Sequence, residues 1–381
     1  MQQALDNIKV LDFSRVLAGP YCTMLLADMG AEVIKIERPE TGDDTRGFGP
    51  FQKDESGYFM YLNRGKKSIA LDLKQPESFE VINQLVKESD VVVENFRPGV
   101  MKKLGLDYES LKAINPEIVY ASISGFGQNG PYSQRPAYDI VAQAMGGLTS
   151  ITGYPDRPPT KAGASLGDMG AALYTAYGIM VALFHRERTG EGQYVDVAMV
   201  DTIFSLLESN VMRYTVDKIA PERMGNRHPI SAPFDTYKVK DGYIVIAVAN
   251  DPLFERLCSV MDKAELTKDP RFYTDVEREK NEAALKVIIE TWLEHYTVDE
   301  AVDYLNDGGI PSSPILNIDE ICESEHTKTR EMLVEIEHPI AGKTMIPGNP
   351  VKLSKTPSVI KKPSPRLGEH NETYITYQKN R

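Results

Sequence analysis

Two groups of residues carry enough chemistry to suggest a site. The first centres on Asp168, which follows Gly163-Ala164-Ser165-Leu166-Gly167 and heads a long apolar run ending near His185. A carboxylate in the first turn of a helix is held ionised by free backbone N–H groups and the helix dipole. An ionised carboxylate can act as a nucleophile. Gly163, Gly167 and Gly170 remove side-chain bulk nearby, so a substrate can approach closely. The bland alternative is a first-turn carboxylate that only stabilises its helix. Gly163 to Gly167 also fits the G-x-S-x-G of a hydrolase nucleophile elbow, with Ser165 as nucleophile. That elbow needs a buried strand running into the serine. Arg157-Pro158-Pro159-Thr160-Lys161-Ala162 is no such strand, which counts against a hydrolase.

The second group is cationic. Arg38, Arg64, Lys66, Lys67, Lys74, Arg97, Lys102 and Lys103 fall close to the ends of short apolar runs. Parallel sheets bind ligands at the C-terminal ends of their strands, and cations gathered there would hold a polyphosphate. Each residue alone reads as solvated surface; their recurrence points to an anionic ligand. The turn Ser14-Arg15-Val16-Leu17-Ala18-Gly19-Pro20 is not G-x-G-x-x-G, and no G-x-x-x-x-G-K-[ST] occurs. Neither a dinucleotide fingerprint nor a P-loop is supported. The six histidines, His228 included, and the three cysteines show no H-E-x-x-H or C-x-x-C spacing, so no metal site is expected.

These residues need a scaffold to bring them together. The chain has 381 residues, 41% of them hydrophobic, and a net charge of −12. An acidic balance argues against a nucleic-acid coat. Three scattered cysteines suit a reducing compartment. The N-terminus lacks a basic-then-apolar pattern, and the apolar run 171–184 is broken by Thr175 and Gly178. The expectation is a cytoplasmic protein with neither membrane nor nucleic acid as partner. Strand-like runs at 8–13, 31–37, 68–73, 91–93, 118–123 and 194–198 alternate with helical spacing at 20–29, 76–88, 167–185 and 200–211. That rhythm predicts an α/β fold with a doubly wound parallel sheet. A polar stretch, 217–233, reads as a linker. Beyond it, a strand pair around Asp241-Gly242 and helices over 252–261, 276–295 and 298–306 predict a second unit.

Taken in order, a set of short blocks resembles the class III CoA-transferases, the family of formyl-CoA transferase and L-carnitine CoA-transferase. They are Val10-Leu11-Asp12-Phe13, Leu17-Ala18-Gly19-Pro20, Gly30 through Pro39, Gly42-Asp43-Asp44-Thr45-Arg46, Leu71-Asp72-Leu73-Lys74 and Val93 through Gly99. Ser124-Gly125-Phe126-Gly127, Gly130-Pro131, Tyr138-Asp139, Gly167-Asp168 and Leu367-Gly368-Glu369-His370 complete the set. Gly225 through Pro229 and Ala232 through Asp235 look similar to the acetyl-CoA:oxalate branch. The glycine-rich loop of the formyl-CoA and oxalate specialists is not found between Phe234 and Pro252.

The resemblance implies a Rossmann-like large domain built from both chain ends plus a small α/β domain, in an interlocked homodimer. It divides the chain into a large CoA-binding domain over 1–200, a linker over 201–229 and the small domain over 230–322. A second linker then covers 323–338, and 339–381 returns to the large domain. It makes Asp168 the covalent nucleophile. Arg38, Lys74, Arg97, Lys102 and Lys103 fall where CoA phosphates and adenosine are bound, and Val16 and Leu17 where the thioester is lined. Arg15, Tyr138 and the loop around Asn250 are candidate acceptor contacts. CoA or acyl-CoA is substrate, with no prosthetic group. CoA would pass from acetyl-, formyl- or succinyl-CoA to oxalate or another small dicarboxylate, through an aspartyl anhydride and an aspartyl-CoA thioester. Two alternatives stand beside this. One is an acyl-CoA racemase of the same fold, although Tyr138, in place of that family's histidine, is a poor base, with a pKa of about 10. The other is a CoA-binding protein without catalysis.

Overall fold

Val91, Val92 and Val93 are buried on both faces, as are Val119 and Ala121. Continuous apolar runs of this kind belong in a parallel sheet covered on both sides. The computed structural model describes residues 2–360 and 362–375. They fall into two units: one of residues 2–148, 161–216, 324–360 and 362–375, the other of 149–160 and 217–323.

The first unit is built on six parallel strands: β1 (Lys9–Asp12), β2 (Glu32–Glu37), β3 (Lys67–Ala70), β4 (Val91–Glu94), β5 (Val119–Ser124) and β6 (Tyr194–Ala198). Their order is β3-β2-β1-β4-β5-β6, so the winding reverses between β1 and β4. Such a reversal opens a crevice at the strands' C-terminal ends. Helices Ala18–Asp28 and Leu166–Thr189 pack together on the sheet.

The helix over 166–189 has 24 residues and is long and apolar enough to span a membrane. The broken run in the sequence did not suggest this. Its Ala171, Ala172, Thr175, Ile179 and Ala182 are buried, and it packs on the Ala18–Asp28 helix, β5 and β6, as a core helix does. The opposite face is not buried: Leu173, Tyr177, Val181 and Phe184 are exposed.

Residues 201–229 are not simply a linker. Helices run through 199–206 and 209–212, then a π-helical turn to Asp217. Residues 323–338 likewise hold a helix, Glu325–Thr329, and a strand, Leu333–His338, paired with Gly342–Pro347. In the second unit, strands Phe234–Lys238, Tyr243–Ala247 and Ser312–Pro314 form an antiparallel sheet. The single helix expected over 276–295 is interrupted at Asn281, giving Asp275–Lys280 and Glu282–Leu293.

A buried ion network lies under the turn after β1. Lys35 pairs with Asp43 at 2.9 Å and Lys66 with Asp12 at 3.0 Å, all four side chains out of water. Lys35 Nζ also donates to the Ser14 carbonyl at 2.7 Å, and Asp12 accepts the Ser14 N–H at 2.9 Å and the Ser14 hydroxyl. Burial alone would raise the pKa of Asp43, but the Lys35 ammonium holds it well below the usual carboxylate range. Burial pushes Lys66 down to about 8. The expectation that Arg64, Lys66 and Lys67 face a ligand is therefore overturned. Arg64 forms a bidentate pair with Asp28, Lys66 is consumed by Asp12, and Lys67 pairs with Glu32.

Removing one member of such a network leaves a buried charge uncompensated, at a cost of about 3–5 kcal/mol. Lys35→Met is expected to lose that much unfolding free energy in urea, followed by circular dichroism. A loss below about 1 kcal/mol, the scale of a surface pair, would contradict the network's role.

Candidate active site

The crevice between β1 and β4 is walled by the segments that leave them. Asn95 clasps the Arg15 peptide in both directions: the Arg15 N–H donates to Asn95 Oδ1 at 2.9 Å, and Asn95 Nδ2 donates to the Arg15 carbonyl at 2.7 Å. The next residue, Val16, has φ of +67°. A β-branched residue rarely adopts this conformation, which costs of order 1–3 kcal/mol unless its surroundings impose it. Here the Val16 N–H is bound by Asp43 Oδ1 at 3.2 Å, itself anchored by Lys35. The strained turn thus rests on the buried ion network.

Two clefts open beside this turn. One, of about 350 Å³, is walled by Phe13, Ile36, Leu71, Leu73, Phe96 and Leu104, with Arg38 and Lys74 on its lining. The other, of about 240 Å³, holds Asp168 together with Arg15, Val16, Leu17, Arg97, Arg135 and Tyr138. Arg15 and Phe96 line both. Of the candidate site residues, Lys102 and Lys103 line neither and lie exposed on the short helix Val100–Lys103. Asn250 also lines neither and belongs to the second unit, where its side chain caps the helix Asp251–Val260. Arg15 and Arg38 share one partner, Asp44, whose role the sequence did not reveal.

Asp168 lies in the first turn of its helix, half-buried. The expectation that helix N–H groups hold it ionised is overturned. The Gly167 N–H donates instead to Asp139 Oδ1, at 2.8 Å. Among the described residues nothing hydrogen-bonds the Asp168 carboxylate. Burial, with a smaller contribution from the Asp139 charge, pushes its pKa up to about 7. Asp139 is steadied by Gln143 Nε2 at 2.7 Å, and Gln143 in turn binds the Ala162 N–H and the Ala164 carbonyl. Gly167 leaves room for this contact: a Cβ would come within 3.1 Å of Asp139 Oδ1 and of Ala142 Cβ, so those neighbours would have to shift slightly. Tyr58, absent from the sequence reading, feels the Asp168 charge: burial first, then Asp168 and Asp43, raise its hydroxyl pKa. Ser165 caps the helix with no strand before it, so no nucleophile elbow forms. Among the described residues no cluster of His, Cys, Asp and Glu could hold a metal ion.

The chain matches the model of CoA-transferase family III over residues 5–371 and belongs to that family. It is 43% identical to acetyl-CoA:oxalate CoA-transferase of Acetobacter aceti, covering 96% of this chain and 93% of that one. It is equally identical, at 43%, to succinyl-CoA:mesaconate CoA-transferase of Haloarcula hispanica, over 96% and 94% of the two chains. The human succinyl-CoA:glutarate CoA-transferase is 38% identical, over 96% and 84%. Among solved structures, a CAIB/BAIF family protein from Brucella suis superposes with a TM-score of 0.87 at 40% identity, over 99% of this chain and 100% of that one. The protein is thus a CoA-transferase of an α/β, parallel-sheet fold, and enzymes of this family use CoA thioesters as substrates.

An acid whose pKa rises on folding destabilises the protein increasingly as pH climbs from the unfolded value to the folded one. Asp168→Asn should therefore raise the melting temperature at pH 8 and leave it unchanged near pH 3. Difference titration against that variant should reveal a group with a midpoint near pH 7, moved to lower pH by Asp139→Asn. A midpoint near the ordinary 3.8 would contradict the assignment.

Proposed function

We propose that this enzyme transfers CoA from an acyl-CoA to a small carboxylic acid by covalent catalysis at Asp168. The observation that carries the reading is the carboxylate left without a hydrogen-bond partner at the crevice where a doubly wound sheet binds ligands. A poorly solvated carboxylate of raised basicity is a better nucleophile than one bound by N–H groups.

An Asp168 oxygen attacks the thioester carbonyl; the C–S bond breaks, leaving a mixed anhydride and CoA thiolate. The thiolate attacks the Asp168 carbonyl, releasing the donor acid and forming an aspartyl-CoA thioester. The acceptor carboxylate attacks that thioester, giving a second anhydride and thiolate. The thiolate then attacks the acceptor's carbonyl, giving the new acyl-CoA and restoring the aspartate. Every step exchanges one activated acyl for another, so the thioester's energy is kept.

The nucleotide occupies the larger cleft, its base against Leu71, Leu73 and Phe96 and its phosphates on Arg38 and Lys74, which draws Arg38 away from Asp44. Arg97 and Lys103 reach the phosphates from outside. The pantetheine arm passes Phe96, and the thioester lies along Val16 and Leu17 beside Asp168. Holding the thiolate there by remote contacts keeps it close to the reacting carbon. Arg15 and Tyr138 border the acceptor, which we take to be oxalate or another small dicarboxylate, as in the relatives named above. The donor is acetyl-, formyl- or succinyl-CoA.

Two chains interlock as a homodimer in this reading. The exposed Leu173, Tyr177, Val181 and Phe184 lie on one helix face, and Phe204 and Leu206 are exposed on the helix it packs against. Apolar area of that kind is covered in most soluble proteins. A reducing, cytoplasmic setting fits three free cysteines, two of them buried.

Asp168→Ala is expected to remain folded and dimeric and to bind CoA, with transfer lost by at least about 10³-fold. Mass spectrometry of acyl-CoA products, with acetyl-, formyl- and succinyl-CoA each offered oxalate, mesaconate or glutarate, measures it. Near-wild-type turnover would refute the covalent role. Deuterium entering the α-carbon of a 2-methylacyl-CoA would indicate a racemase instead.

A further inference from the structure

Three guanidinium groups line the cleft that holds Asp168: Arg15, Arg97 and Arg135. Their states differ. Arg15 is paired with Asp44 at 2.8 Å. Arg97 follows β4 at the crevice, in the position given to the CoA phosphates. Arg135 has no acidic partner among the described residues. Its guanidinium lies 4.1 Å from the centre of the Tyr132 ring, and Tyr132 packs edge-on against Phe126. The Arg135 N–H donates to the Tyr132 carbonyl at 2.9 Å, so both backbone and side chain lean on that tyrosine. Stacking on an aromatic face orients a guanidinium without neutralising it.

The same wall carries a second unpaired polar group. Ser124, at the end of β5, is 8% exposed; it lines this cleft, and its hydroxyl has no hydrogen-bond partner among the described residues. The next residue, Gly125, approaches so closely that a Cβ would come within 2.2 Å of Ala137 Cβ. The end of β5 and the 135–138 segment therefore form one surface. Buried polar groups are normally satisfied, and an oriented but unpaired arginine is suited to a carboxylate. Arg135 and Ser124 line the same cleft as Asp168, and an arginine without an acidic partner there favours an anionic group.

We infer that Arg135 is a specificity-determining residue: it binds the far carboxylate of a dicarboxylic acceptor while the near carboxylate reacts. The inference rests on the CoA-transfer reading above. A monocarboxylic acid has nothing to offer Arg135, so the residue separates acids of equal length by charge rather than size. A charge-assisted hydrogen bond contributes about 1.5–3 kcal/mol, corresponding to about 10- to 100-fold in binding.

The test uses the full-length enzyme, acetyl-CoA as donor, and succinate or butyrate as acceptor. Exchange of labelled acetate into acetyl-CoA is the control, because it needs no second carboxylate. Wild type is expected to prefer succinate. Arg135→Gln should raise the KM for succinate by about 10- to 100-fold with little change in kcat. It should leave the KM for butyrate and the acetate exchange within about twofold, and Arg135→Lys should recover part of the loss. Equal effects on succinate and butyrate, no effect on either, or a wild type indifferent to the two acids would overturn the inference. Acetate exchange that persists in those cases would leave the CoA-transfer reading standing. Its absence from the wild type, together with no transfer to either acid, would sink both.

Discussion

One hydrogen bond governs the candidate site. Asp139 Oδ1 takes the N–H of Gly167 at 2.8 Å, in the helix turn where Asp168 would otherwise find its own donors. The free N–H groups at a helix start normally stabilise a nearby carboxylate and lower its pKa. With Gly167 already engaged, Asp168 keeps the cost of burial without that compensation, and its pKa rises to about 7. The side chain that takes the donor also adds a second negative charge nearby, acting in the same direction. Gln143 fixes the arrangement by holding Asp139 on one side and the 162–164 segment on the other.

The opposite wall depends on charges that never meet substrate. Ser14, Arg15 and Val16 are each bound through backbone groups to a side chain: Asp12 and Lys35 for Ser14, Asn95 for Arg15, and Asp43 for Val16. Replacing a whole buried ion pair with well-packed apolar residues is often neutral or stabilising. Here the charges hold a β-branched residue at positive φ, a conformation it would not adopt unaided. Strain of this sort persists only where surrounding structure over-determines it. The C-terminal segment joins the same framework: Glu37, adjacent to Asp43, binds Arg46 and Ser68, and Ser68 accepts the Gly368 N–H. The Leu367-to-His370 block is thus far from the ends of β1 and β4 in sequence but bound to the scaffold beneath them.

Much of the fold was legible in the sequence because its signals are local. Val91 to Val93 and the runs over 118–123 are apolar on both faces, and intervening helices carry apolar residues at helical spacing; together they specify a parallel sheet. The linker that the resemblance implied at 201–229 overlaps the helical spacing read over 200–211, where Thr202 and Ile203 are buried in a helix; the polar stretch begins only near Asp217. The site was legible in type but not in state. Asp168 stood out as a first-turn carboxylate, yet no spacing rule says that Asp139, well upstream, reaches the helix start first. Arg64, Lys66 and Lys67 resembled ligand cations because sequence does not show which acids fold against them. Arg135 carried no signal in the sequence; only the geometry distinguishes it from Arg15, which pairs with Asp44.

The central claim is that the partnerless carboxylate of Asp168 becomes joined to CoA during turnover. The most direct measurement is peptide mapping by mass spectrometry after the enzyme is incubated with acyl-CoA and quenched with hydroxylamine, which converts an activated aspartyl group to a hydroxamate. The account predicts a hydroxamate at Asp168, dependent on acyl-CoA and lost when excess acceptor acid discharges the intermediate. Turnover with Asp168 unmodified, or with the label on another side chain, would contradict it.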